Sequence, residues 1–319
     1  MIHPEVQALI SSTNGVHYLD RVQKLKKYPV YNLPVPPAKP DSIMLEIGSG
    51  WGRWLVAAAN KNYIPVGVDI HHHFCETCRY VLDVHGKNGY MVNADLEYLP
   101  FKAGVFDLIW SFSVIQHTHI QKLKACIKSM SEMLHSSGFT KLEFPNKNGV
   151  HNKVHLAESE KTADDYESLN VRYYTLPEYR NMFEARFSSI KIENHSFLGI
   201  GILPDDLKYV SFKNKLVVLA SLTGSFLTRF VPQLTKFSDS VYIIGKSDQD
   251  KDVAAVNQFL EMHKRDPKDN LNIVPLLKCP VSGSSLRLSE DRKQLIADNL
   301  VYPVKNDIPI LLPDQAIHV

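Results

Sequence analysis

Residues 45–52 read Leu45-Glu46-Ile47-Gly48-Ser49-Gly50-Trp51-Gly52. An acidic residue stands two positions ahead of three glycines that are separated by single residues. The apolar residues Ile43, Met44, Leu45 and Ile47 lead into the glycines, and the helix-compatible stretch Arg53 to Asn60 comes after them. This is the pattern of a strand, a tight turn and a helix N-terminus, where an α/β sheet holds a nucleotide-like ligand. A dinucleotide-binding turn calls for G-x-G-x-x-G, and here Arg53 stands in the slot of the third glycine.

Outward from the turn, the apolar strand Pro65-Val66-Gly67-Val68 ends on Asp69 and Ile70. A carboxylate about twenty positions past a glycine turn suits a ribose, whose diol donates two hydrogen bonds. The plainer reading is that Asp69 caps the next helix. Farther on come Asn93-Ala94-Asp95-Leu96-Glu97-Tyr98-Leu99-Pro100-Phe101 and Phe106-Asp107-Leu108-Ile109-Trp110-Ser111, the latter running through Phe112-Ser113-Val114-Ile115-Gln116 to His117. In order and spacing these segments resemble the Rossmann-like (class I) S-adenosylmethionine methyltransferases. The likeness covers roughly residues 41–246 and is strongest up to 146.

The resemblance implies S-adenosylmethionine as cofactor. It places Glu46 near the ligand's ammonium group and the backbone of Gly48, Ser49, Gly50 and Gly52 against its methionine part. Asp69 and Ile70 then belong to the ribose end, Asp95 to the adenine amino group, Leu96 beside the ring, and Ser111 to the end of the fourth strand. The fold implied is a seven-stranded methyltransferase sheet with helices on both faces.

Composition is consistent with that class. The chain has 319 residues, 44% hydrophobic and 22% charged, with a formal net charge of +2, so nothing in the charge demands a polyanionic partner. Cys75, Cys78, Cys126 and Cys279 are too few for a disulfide framework and fit a reducing compartment. The start Met1-Ile2-His3-Pro4 lacks a signal pattern, and Leu216 to Val231 is too short and too polar to span a bilayer. A cytoplasmic protein is expected.

Organisation comes from punctuation and periodicity. Residues 1–40 are expected to be a helical extension, over residues 1–33, and then a connector built on Pro34, Pro36, Pro37 and Pro40. Strands are expected at Ser42–Ile47, Ile64–Val68, Tyr90–Val92, Phe106–Ser111 and Phe139–Phe144, with later ones near Ile190–Asn194 and Val241–Gly245. Leu123, Cys126, Ile127, Met130, Met133 and Leu134 mark an amphipathic helix. Residues 147–175 read as polar and irregular, and Thr175 with Glu178 three residues on reads as a capping box. An apolar, basic insertion occupies about 203–236 of the 41–246 domain. A linker helix over 247–271 precedes a small β-rich domain over 272–319.

The segment after the fourth strand bears on the chemistry. Methyltransferases that act on amide or exocyclic nitrogen carry an Asn/Asp-Pro-Pro-Tyr/Phe motif there, and this chain reads Ser111-Phe112-Ser113-Val114. Ser113-Val114-Ile115-Gln116-His117 is similar instead to the quinone-biosynthesis type, which implies an oxygen or carbon of a small-molecule or lipid-like acceptor. His117 is the catalytic candidate, against the reading that it only packs or caps. Glu143 could support the site or be an ordinary sheet residue; His119, His151 and His155 are weaker candidates. The cluster His71-His72-His73-Phe74-Cys75-Glu76-Thr77-Cys78 has no second cysteine pair, so core cysteines are expected rather than a metal.

The final residues, Cys279-Pro280-Val281-Ser282 through Tyr302-Pro303-Val304 to Ile308-Pro309-Ile310-Leu311-Leu312, resemble small zinc-ribbon-related activators of tRNA, rRNA and release-factor methyltransferases. Ser282 replaces the second cysteine, and one thiolate cannot hold structural zinc. A metal-free unit is expected, either a built-in partner covering apolar surface or a structural appendage. Its presence keeps an RNA or protein methyltransferase as the alternative, although no strong nucleic-acid signal accompanies it. A cofactor-binding protein without catalysis is a third reading. The basic insertion could lie on a membrane surface or be a packed helical cap.

Overall fold

The computed structural model describes residues 2–13, 25–158 and 171–318. In chain order its elements are α1 (Pro4–Thr13), β1 (Ile43–Ile47), α2 (Arg53–Ala59), β2 (Ile64–Asp69), α3 (His72–Val84), β3 (Tyr90–Asn93) and β4 (Phe106–Ser111). Next are α4 (Ile120–Met133), β5 (Leu134–Pro145), α5 (Val150–Glu158), α6 (Leu176–Glu184), β6 (Ser189–Ser196), α7 (Phe212–Leu227), β7 (Ser240–Lys246) and α8 (Val253–Arg265). The chain closes with short strands β8 (Arg287–Leu288), β9 (Gln294–Ala297), β10 (Leu300–Lys305), β11 (Ile308–Pro309) and β12 (Ile317–His318).

The first seven strands form one sheet in the order β3-β2-β1-β4-β5-β7-β6, with β7 antiparallel to β5. This is the expected Rossmann-like methyltransferase sheet, a doubly wound order with one antiparallel strand inserted near its edge. The five C-terminal strands make a separate small sheet. By its contacts the chain forms two compact units: Val30–Trp110 with Lys128–Phe139 and Lys246–Val319, and Met1–Pro29 with Ser111–Ile127 and Thr140–Gly245.

In the first unit β1 pairs in parallel with β2, Ile43 opposite Ile64 through Ile47 opposite Val68, and β2 with β3, Val66 opposite Tyr90 through Asp69 opposite Asn93. Every residue of β1 and β2 is buried, as a strand covered on both faces requires. The C-terminal segment packs here, along edge strand β3. Leu311 N–H donates to the Asn93 carbonyl at 2.8 Å, and Ile310 bridges Asn93 in parallel. The Asn270 amide receives Met91 N–H at 2.7 Å and donates to the Met91 carbonyl at 2.9 Å. An edge strand's open backbone groups are thereby satisfied. Helix α8, in the expected linker, is packed by its apolar face: Phe259 meets the Tyr90 ring edge-on at 5.0 Å, and the Tyr90 hydroxyl hydrogen-bonds His263 Nδ1 at 2.7 Å.

In the second unit the capping box at α6 is present, with Thr175 N–H donating to Glu178 Oε2 at 2.6 Å and Glu178 N–H to Thr175 Oγ1 at 3.4 Å. Two expectations change. The stretch 147–175 contains helix α5, whose start is held by Asp239: its Oδ1 accepts Asn152 N–H at 2.8 Å, a partner far away in sequence. The N-terminal helix is α1, and residues 25–33 carry no helix; residues 14–24 of the expected helix lie outside the described residues. No helix among the described residues is long and apolar enough to cross a membrane.

Candidate functional site

The glycine turn is a local consequence of backbone sign. Gly48, Gly50 and Gly52 have φ of 75°, 53° and 85°, conformations that side-chain-bearing residues rarely adopt. Gly48 N–H donates to the Val68 carbonyl at 2.9 Å and Gly52 N–H to the Ser49 carbonyl at 2.8 Å, so the turn is anchored to the end of β2 before α2 begins. Space is short as well. A Cβ on Gly67 would fall 2.5 Å from Ser49 Oγ and 2.6 Å from Met91 Sδ, which explains a glycine inside a buried strand.

Two carboxyl groups border this turn. Glu46 is buried at the end of β1, and its Oε2 has no hydrogen-bond partner. Burial, with Asp69 adding like charge, pushes its pKa well above the ordinary carboxylate value, against the lowering effect of the Arg53 guanidinium and the Leu55 backbone. Asp69 is buried at the end of β2. Its Oδ2 accepts Gly50 N–H and its Oδ1 accepts His71 N–H, both at 3.0 Å. Burial raises its pKa too, while those two hydrogen bonds pull it back down.

The other residues named from sequence in this unit lie on the loops after β2 and β3. Ile70 is exposed. Asp95 is half-buried and its Oδ1 accepts Glu97 N–H at 2.9 Å, starting the short turn that carries Leu96. Asn93, not a candidate from sequence, ties the loop after β2: its Nδ2 donates to the Asp69 carbonyl at 2.9 Å and the Ile70 carbonyl at 2.8 Å. A polar residue closing a buried strand was the available signal. Arg53 spreads over the Tyr31 and Trp54 rings at 5.4 and 5.3 Å.

The His71–Cys78 cluster is turned partly into the core. Cys75 and Cys78 are buried on α3, with Cys78 Sγ 3.3 Å from the Gly50 carbonyl, and burial pushes both thiols up. Such thiols are inert. Among the described residues no group of three or more His, Cys, Asp or Glu side chains is placed to hold a metal. Cys279, in the C-terminal segment, lies 3.3 Å from the Tyr302 hydroxyl and accepts Ser282 N–H at 3.3 Å. Burial raises its pKa, but the hydrogen bonds from Ser282 and Tyr302 outweigh that and hold the thiol below its ordinary value.

Ser111 and His117 belong to the second unit. Ser111 is fully buried. His117 is half-buried on a single turn, its Nε2 3.3 Å from the Gln116 amide nitrogen, which donates to Ser113 Oγ at 3.1 Å. Buried Glu143 accepts Ser113 N–H at 3.1 Å, holding a non-glycine residue at φ 60°. Arg172, invisible as a site residue in the sequence, donates from Nη1 to the His117 carbonyl at 2.7 Å. His119 Nδ1 lies 3.4 Å from Gln121 N, and His151 is exposed. The side chain of His155 lies outside the described residues.

Residues 44–138 match the family model described as a methyltransferase domain. A 53-residue stretch is 42% identical to a UPF0434 protein of Maricaulis maris, covering 16% of this chain and 78% of that protein. Among solved structures, the chain is similar to one in a complex of the Haloferax volcanii Trm112 methyltransferase activator, at 16% identity over 66% of this chain and 84% of that one, TM-score 0.44. It is similar also to a methyltransferase of Thermotoga maritima, at 16% identity over 76% and 92%, TM-score 0.44. Residues 44–138 are thus a methyltransferase domain by their family match, and the C-terminal segment belongs to the UPF0434 family.

Proposed function

We propose that this methyltransferase acts on an oxygen or carbon of a small-molecule or lipid-like acceptor, with its cofactor held by the glycine turn. The observation that carries the cofactor site is Glu46, a buried carboxyl group with an unpartnered oxygen beside glycines of positive φ. A buried acceptor without a donor is costly, and the ligand's ammonium group relieves that cost. The backbone of Gly48, Ser49, Gly50 and Gly52 lines the approach. Asp69, with Ile70 next to it, takes the ribose hydroxyls, since each carboxylate oxygen retains a second lone pair beyond its backbone donor. Asp95 takes the adenine amino group and Leu96 the ring.

When bound, the cofactor supplies a methyl group on a sulfonium, open to in-line displacement. The protein's share is to hold the acceptor atom on that line and to exclude water. For an oxygen acceptor the His117 imidazole receives the proton, with Arg172 holding its backbone carbonyl.

The UPF0434 segment favours a second reading, in which RNA or protein is the acceptor. Methyl-labelled S-adenosylmethionine, incubated with the protein and a host extract, separates the two. Label in the lipid or small-molecule fraction is expected; label confined to RNA or protein overturns the first reading. Tight cofactor binding with no transfer to any fraction would mean a binder without catalysis.

A further inference from the structure

Helix α7 is oriented against the usual logic of a water-facing element. Its inward face carries small and polar groups. Ser221 is fully buried and its Oγ accepts Phe197 N–H at 3.0 Å, while Ser225 Oγ donates to the His195 carbonyl at 3.2 Å. A Cβ on Gly224 would stand 2.8 Å from the Phe197 ring, so the helix sits close and cannot roll. On the same face Val218, with Val217 and Leu222, joins the small cluster of Ile202 and Val210.

The outward face carries the large apolar side chains. Phe212, Leu216, Leu219, Phe226 and Leu227 recur at the spacing of one helical face, and Phe230 continues the stripe. Phe212 is 78% exposed, Phe230 71%, Leu216 57% and Phe226 51%. A contiguous apolar stripe of this kind marks an interaction surface.

Charge identifies what it meets. Lys213, Lys215, Arg229 and Lys236 accompany the stripe, and the chain contains no Asp or Glu from Leu207 to Ser238. The Arg229 guanidinium stands 5.7 Å from the centre of the Phe226 ring, and Lys236 Nζ 4.8 Å from that of Phe237. A twofold pairing of this face with a second copy would set cations against cations, with no carboxylate in the segment to answer them. We propose that α7 and the turn after it dock on an anionic lipid surface. The stripe enters the boundary between headgroups and acyl chains, and the cations meet lipid phosphates. This surface is independent of which acceptor is methylated.

Flotation of the full-length protein with phosphatidylcholine vesicles, with and without phosphatidylglycerol, tests this. Binding is expected with phosphatidylglycerol, roughly tenfold weaker without it, and weakened by added salt. The triple variant Phe212→Ser/Leu216→Ser/Phe230→Ser and the charge variant Lys213→Glu/Arg229→Glu/Lys236→Glu should each lower binding about tenfold. Both should keep the thermal midpoint and the S-adenosylmethionine affinity of the parent, since the altered side chains are exposed. Failure of the parent to float with anionic vesicles overturns the proposal, as does equal flotation of parent and both variants. A concentration-dependent dimer that the serine variant dissolves, with no vesicle binding, assigns the face to a second copy instead.

Discussion

The glycine turn at residues 48–52 and the segment Ser111–His117 each come after a sheet strand and carry polar groups, yet they manage them differently. In the turn, backbone geometry is set by left-handed glycines, and one carboxyl oxygen of Glu46 remains unpartnered. In the second segment most polar groups bond one another: Glu143 accepts from Ser113 N–H, Gln116 donates to Ser113, and Arg172 donates to the His117 carbonyl, while Gln116 Oε1 is buried without a partner. A buried acceptor without a donor is open to a ligand's donor. Groups tied largely to one another suit catalysis or plain structure, and perturbation tells the two apart.

The largest expected effect breaks or secures that contrast directly. His117→Ala should lower turnover by about 10²–10⁴-fold if the histidine takes the acceptor's proton, while cofactor affinity stays that of the parent. Full turnover in single-turnover assays would reduce the segment to a structural one. In the turn, Gly52→Val forces a β-branched residue to φ 85° and brings its Cβ 3.2 Å from Cys78 Cα. Strain of ~1–3 kcal/mol is expected in urea unfolding, together with a loss of cofactor affinity by titration calorimetry.

Glu46→Gln sharpens the comparison further. It should weaken S-adenosylmethionine binding about tenfold, the loss of one charge-assisted contact, without destabilising the ligand-free protein. The pH dependence of unfolding gives a smaller but signed effect. Glu46 has a raised folded-state pKa, so it binds its proton more tightly folded than unfolded. Its stabilising contribution is complete below the ordinary carboxylate value and is lost as pH rises through the folded pKa. The Gln variant should flatten that decline in ligand-free denaturation curves.

Asp107 supplies the opposite slope. Burial raises its pKa, but hydrogen bonds from His135, at 3.0 Å, and from Ile43 N–H, at 2.8 Å, bring it below the ordinary value. Its contribution is present above that value and disappears as pH falls through the folded pKa. Asp107→Asn should therefore remove stability near neutral pH and less in acid, read from the same curves.

Much of the fold was legible because it is local. The strands β1, β2 and β4 and the capping box at Thr175 and Glu178 were visible as apolar runs and cap spacing. Helix α5 was not, because its polar sequence has no strong periodicity and its start is held by Asp239, remote in the chain. Arg172 carried no signal for the same reason: its partner is a backbone carbonyl, which any residue type presents.

By itself the sequence determined the glycine turn, the acidic residues beside it, and the alternation of strand and helix. These depend on the sign of φ and on side-chain period, both properties of neighbouring residues. Tertiary structure alone decided that Asn270 satisfies Met91 across 179 positions and that α7 turns its phenylalanines outward. Each of these is set by close approach between segments far apart in the chain. For α7 the close packing of Gly224 against Phe197, rather than the helix's own hydrophobicity, fixes which face meets the solvent.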